Sequence, residues 1–204
     1  MEIEKKESHK TILKTTGVFG FAQLLKILVG LVSSKFVALF LGTTGIGVVG
    51  LLQNTLSIIT SLTGFGINIS GVRMVALSYS ENNQREFSKT ILALKRWSIL
   101  TGILGVLLTL ILAKPLSIWT FGSSDYVNWF FILSINFIFS SLAVNKMVVL
   151  QGTRSMKAIA LSTVIYAILA TFVTIPIYYF FRMDGIVAVL VLTTVLNYLV
   201  NWFF

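Results

Sequence analysis

The chain has 204 residues, of which 56% are hydrophobic and 11% charged, with a mean hydropathy of +0.91. A water-soluble domain carries about a quarter charged residues, so this composition excludes that class and points to an all-α, polytopic membrane protein. The net charge of +9 is scattered over the ends of apolar segments instead of gathered in one patch, which argues against a nucleic-acid partner.

Met1 to Lys14 reads as a polar tail, with Lys5, Lys6, Lys10 and Lys14. The first predicted span covers about Thr15–Leu41 and the second about Gly45–Ile67, joined at Leu41-Gly42-Thr43-Thr44-Gly45. The first apolar segment is too long for a cleaved signal, is broken by Gln23 and Lys26, and lacks a small-residue cleavage site, so it is expected to stay as an anchor. Asn68 to Arg96 is the longest polar connection, with a turn or helix start at Ser80-Glu81-Asn82-Asn83. Phe87, Ile91 and Leu94 recur there at helical spacing and predict an amphipathic helix leading into the third span. That span covers about Trp97–Ala113 and is expected to stop at Lys114-Pro115, with Trp119 at the interface. Phe121 to Tyr126 reads as a loop. The fourth span covers about Trp129–Leu150. A short basic loop from Gln151 to Lys157 follows it. The fifth covers about Ala158–Phe181, with Pro176 as a kink, and the sixth runs from Ile186 to Phe204 after the turn at Arg182-Met183-Asp184-Gly185.

Basic residues set the orientation. The tail, the 68–96 connection, Lys146 and the 151–157 loop hold twelve, against two, Lys114 and Arg182, on the other side. The N-terminus is therefore expected in the cytoplasm. The last residues, Asn201-Trp202-Phe203-Phe204, stop at an interface without a basic flank, which leads to the expectation that the chain is half of a longer, two-lobed protein.

Polar residues inside the spans are the candidate functional groups. On the first helix Thr16, Gln23, Lys26, Gly30, Ser33 and Ser34 share one side, with Lys35 off the edge of that stripe. On the second, Gly47, Gly50, Gln53, Asn54, Ser57, Ser61 and Gly64 do the same. Such stripes suit either a tight helix seam or a wet cavity. Lys26 favours the cavity, because it lies about 16 Å from the end of its helix, too far to snorkel easily. Lys35 lies nearer an end, where snorkelling competes. For Arg73 the competing reading is the ordinary basic flank. No cysteine is present, and His9, the one histidine, lies in the tail, so histidine-cluster and thiolate metal sites and disulfides are excluded.

The run from Gln23 to Lys35, continuing from Phe36 to Gly47, resembles the start of the Wzx-type flippases of the multidrug/oligosaccharidyl-lipid/polysaccharide exporter superfamily. Gly64-Phe65-Gly66 with Gly71-Val72-Arg73, then Phe121 to Tyr126, Leu150-Gln151-Gly152-Thr153-Arg154 and Asp184-Gly185, resemble later segments of the same family in order. Family members usually have twelve or more spans, so the resemblance implies a six-helix N-terminal lobe whose partner is a C-terminal lobe. It implies transport of a polyprenyl-pyrophosphate-linked oligosaccharide, such as an O-antigen unit, across the bacterial inner membrane by alternating access, beside membrane lipid and a polysaccharide polymerase. Lys26, Lys35 and Arg73 become candidate pyrophosphate contacts, and Gln23, Gln53 and Asn54 candidate sugar or headgroup contacts, with helix-seam hydrogen bonds as their alternative. No cofactor is implied.

Three rival classes remain, one of them a purely structural or interaction role, which a half-protein would fit. A membrane enzyme of polysaccharide assembly, a glycosyltransferase or polymerase, needs acid–base or nucleophilic groups within reach. Here Asp125 and Asp184 fall in separate loops. A multidrug exporter of the same superfamily takes cationic cargo, whereas a lysine in the first span favours an anion. No Asp or Glu lies inside a predicted span, so these helices offer no carboxylate for ion coupling.

Overall fold

The computed structural model describes the backbone of residues 2–81 and 84–204 and the side chains of residues 17–81 and 84–204. The side chains of the polar tail, His9 included, and Asn82-Asn83 of the predicted turn lie outside the described residues. The elements are α1 (Glu2–Thr63), α2 (Ile67–Ser80), α3 (Gln84–Ile111), α4 (Ala113–Phe121), α5 (Val127–Ser134), α6 (Asn136–Gly152), α7 (Met156–Phe181), a 3-10 turn (Arg182–Asp184) and α8 (Gly185–Phe203). Among the described residues there is no strand.

Four stretches are long and apolar enough to cross a bilayer: Gly17–Thr63, Gln84–Ile111, Val127–Gly152 and Met156–Phe203. Helices close their own backbone hydrogen bonds, which is what hydrocarbon demands of a spanning segment. The chain is an all-α polytopic membrane protein. The first and last stretches hold 47 and 48 residues, about twice what one crossing takes, and each is interrupted near its middle.

The first interruption is Gly42, at φ 66° and ψ −172°, a region open in practice only to glycine. It divides α1 into an N-terminal and a C-terminal arm. The second is the 3-10 turn, and the two meet. A Cβ on Gly45 would lie 3.0 Å from Met183 Sδ and 2.5 Å from Leu41 Cβ, so hydrogen there permits the close approach. α1 rests chiefly on α7.

The main core gathers Leu52 and Ile59 of α1, Leu116 of α4, Phe130 and Leu133 of α5, Phe137 of α6, Tyr178 of α7, and Ile186 and Leu190 of α8. A smaller core, Val75, Leu94 and Val148 with Phe87 against it, fastens the α2–α3 pair to α6. The connection after the second predicted span is thus helical in its first part as well.

Lys114-Pro115 does not end the helical run. The break falls at Leu112, and both residues belong to the first turn of α4. Proline is tolerated in a first turn because its missing N–H would have no intrahelical partner. Pro176 lies inside α7, which continues from Met156 to Phe181.

The junction of α5 and α6 positions the site. The helix tightens at Ile135, whose carbonyl accepts from the Ile138 N–H at 3.2 Å. Ser134 Oγ donates to the Phe131 carbonyl at 2.7 Å, competing with the regular ladder. Beside it, α3 comes close: Cβ atoms on Gly102 and Gly105 would lie 2.6 Å from Ser141 Oγ and 2.8 Å from Phe137 Cβ.

Candidate functional site

Polar side chains that a membrane helix cannot leave in lipid gather here around one open cavity, with Gln53, Ser57 and Ser61 exposed along it. The C-terminal arm of α1 presents Gln53, Ser57, Thr60 and Ser61. α6 adds Asn136 and Ser140, α7 adds Tyr166, and α8 adds Thr193 and Thr194. Together with Leu56, Phe137 and Leu190 they line a cavity of about 350 Å³. Thr60, Phe137 and Ser140 also line a recess of about 60 Å³, which continues to Asn68, Ser98 and Thr101. Phe137 therefore stands between two polar spaces.

Hydrogen bonding gives the cavity a direction. Thr60 Oγ1 donates to the Leu56 carbonyl at 2.8 Å, Thr193 Oγ1 to Val189 at 2.7 Å and Thr194 Oγ1 to Leu190 at 2.9 Å. Each hydroxyl proton goes to its own helix, and each oxygen keeps lone pairs for the cavity. Asn136 is 6% exposed, and its Oδ1 is buried without a hydrogen-bond partner. Among the described residues, no carboxylate, lysine, arginine or histidine lines the cavity.

The six residues singled out from the sequence do not converge. Gln53 lines the cavity. Lys26 is exposed on the N-terminal arm of α1, between exposed Leu24, Ile27 and Leu28, and Gln23 is half-buried one turn away. Lys35 is exposed about 14 Å further along the same arm. Asn54 is exposed beside Gln53, and Arg73 is exposed on α2. Among the described residues, Lys26, Lys35 and Arg73 make no ion pair. Asn136, Ser140, Tyr166 and Thr194 were not anticipated. The signal for the first two was present: an asparagine and a serine four apart in an otherwise apolar segment share a helix face.

A family model described as "Polysaccharide biosynthesis protein" matches residues 12–204. This chain belongs to the polysaccharide biosynthesis protein family. No curated protein and no solved structure matches it. The family match takes in every residue that lines the cavity, together with Lys26 and Lys35. Elsewhere in this polysaccharide biosynthesis protein the acidic groups stand apart. Asp125 is exposed in the 122–126 loop and accepts from Ser123 Oγ at 3.1 Å, and Asp184 is exposed in the 3-10 turn. Among the described residues no three His, Cys, Asp or Glu side chains cluster.

Proposed function

We propose that the chain is the N-terminal, six-span lobe of a flippase that moves a polyprenyl-pyrophosphate-linked oligosaccharide, such as an O-antigen unit, from the cytoplasmic to the periplasmic leaflet. The lobe sits in a bacterial inner membrane with its N-terminus inside. It rocks against a second, C-terminal lobe about a central site, and it carries substrate without chemical change. Lys26, Lys35 and Arg73 meet the pyrophosphate, and Gln23, Gln53 and Asn54 the sugars.

One observation carries this reading: Lys26 stands exposed in the middle of an apolar helical arm, with no ion pair among the described residues. A lysine at the centre of a spanning helix costs about 2.5–3.5 kcal/mol on insertion scales. An anionic headgroup and the water that travels with it offset that cost, whereas acyl chains do not. Membership in a polysaccharide biosynthesis family supports a glycan cargo.

The test is polysaccharide export in cells with Lys26→Ala in the full-length protein. Export is lost while membrane insertion persists, and Lys26→Arg retains part of it because the charge is kept. Unchanged surface polysaccharide with Lys26→Ala removes this residue from the mechanism.

A further inference from the structure

We infer that the open 350 Å³ cavity of the lobe is a binding site of its own, one that takes a neutral, polyhydroxylated ligand: a sugar unit of the transported headgroup. The inference rests on the flippase reading and divides the headgroup between two places, sugars within the helix bundle and pyrophosphate on the outer lysines.

Size comes first. At about 30 Å³ per water the space equals roughly a dozen water molecules, the lower end of the range for small-ligand pockets. Chemistry comes second. Threonines 60, 193 and 194 spend their protons on their own helices and offer oxygen lone pairs. Asn136 Oδ1 is enclosed and has no partner among the described residues, so the acceptors open to an occupant are the hydroxyl oxygens of the lining. Lone pairs facing such a space are satisfied by an occupant that brings O–H donors. Gln53, Ser57 and Ser140 hold no hydrogen bond within the described residues, which leaves them free to donate to hydroxyl and ring oxygens.

Charge comes third. A phosphate is an acceptor that needs cations or several donors, and among the described residues no basic side chain lines this space. A bare cation finds oxygens here but no counter-charge, in a volume far larger than one coordination shell. A sugar ring matches what remains: donors and acceptors alternating around a neutral body.

These 204 residues hold no cysteine, so single-cysteine variants report cleanly once any cysteine of the second lobe is replaced by serine. In the full-length protein in proteoliposomes, Ser140→Cys and Thr194→Cys are reacted with a neutral, water-soluble methanethiosulfonate. Ser33→Cys, near the lysines, is the reference. The probes are polyprenyl pyrophosphate bearing the cell's own oligosaccharide and the same lipid without sugar. With the first probe at about ten times its Kd, about a tenth of the sites stay open, so modification of both cavity cysteines slows about tenfold. The sugar-free lipid leaves them at the original rate, while both probes protect Ser33→Cys. Adding Gln53→Leu weakens the sugar-dependent protection of Ser140→Cys.

Absence of protection at Ser33→Cys by either probe overturns the flippase reading itself. With Ser33→Cys protected, three results overturn the cavity assignment alone. They are cavity cysteines that never react, equal protection by both lipids, and protection that follows sodium instead of sugar.

Discussion

Gly152→Ala tests how the α2–α3 pair is held to the rest of the lobe. Gly152 is the last residue of α6, and a Cβ there would lie 2.4 Å from Val75 Cγ1, 2.5 Å from Val75 Cβ and 3.2 Å from the Val72 carbonyl oxygen. Ordinary carbon contacts begin near 3.4 Å, so α2 must retreat by about 1 Å. Val75 cannot swing aside, because it is fully buried and β-branched, and the third neighbour is backbone. Overpacking of this kind costs about 1–3 kcal/mol, offset by at most about 1 kcal/mol of helix propensity gained over glycine. The net loss is about 1–2 kcal/mol, which lowers the melting temperature by roughly 2–8 °C for a chain of this size. Melting followed by tryptophan fluorescence in detergent measures it, and trypsin cleavage within residues 85–96 should quicken as the pair loosens. Gly47→Ala is the control, since nothing lies within 4 Å of its Cβ and the same substitution there should be neutral or stabilising by up to about 1 kcal/mol. A Gly152→Ala protein as stable and as trypsin-resistant as the native one, with Gly47→Ala behaving alike, refutes the packing argument.

At the α1 break, Gly42→Ala and Gly42→Asn should both lose about 1–3 kcal/mol, because φ 66° with ψ −172° lies outside the left-handed region asparagine tolerates; melting temperatures check this, and an asparagine variant matching glycine contradicts it. Phe130→Ala, at a fully buried ring of the main core, should cost about 3–5 kcal/mol, whereas Phe172→Ala, 71% exposed, should leave detergent stability nearly unchanged. Reporter fusions at Ser124 and Thr153 should report opposite sides of the membrane; the same side for both breaks the proposed topology.

The all-α membrane class was legible from composition alone, because too few charges remain to cover a soluble surface. The inward turn of Phe87 and Leu94 was legible from their spacing. α2 was not, because its buried residues, Gly71, Val75 and Ser78, are small and sit among polar neighbours, leaving little periodic signal. Lys114-Pro115 misled because a proline reads as a stop, yet in a first turn it removes no hydrogen bond. One wall of the cavity was visible as the Gln53, Ser57, Ser61 stripe. The facing walls were not, since Tyr166, Thr193 and Thr194 become partners of that stripe only when α7 and α8 pack against it. Sequence spacing fixes which residues share a helix face, and it leaves open which two faces meet.

On the proposed reading, the separation of charge from neutral polarity is itself functional. The interior offers hydroxyl and amide oxygens, whose transfer from water is modest when each proton finds a carbonyl of its own helix. A lysine moved into that cavity would face a ring of acceptors but no counter-anion, and burying it unpaired would cost more than leaving it at the outer face of α1. In the outer position Lys26 and Lys35 have no acidic partner among the described residues, so their attraction is strong for pyrophosphate and indifferent to which sugars follow. Discrimination among glycans then falls to the neutral cavity, where one misplaced hydroxyl leaves an acceptor such as Thr194 Oγ1 unpaired. Such a division lets one cationic surface serve any lipid pyrophosphate while a few uncharged side chains, Gln53, Ser140 and Thr194, set which headgroup is carried.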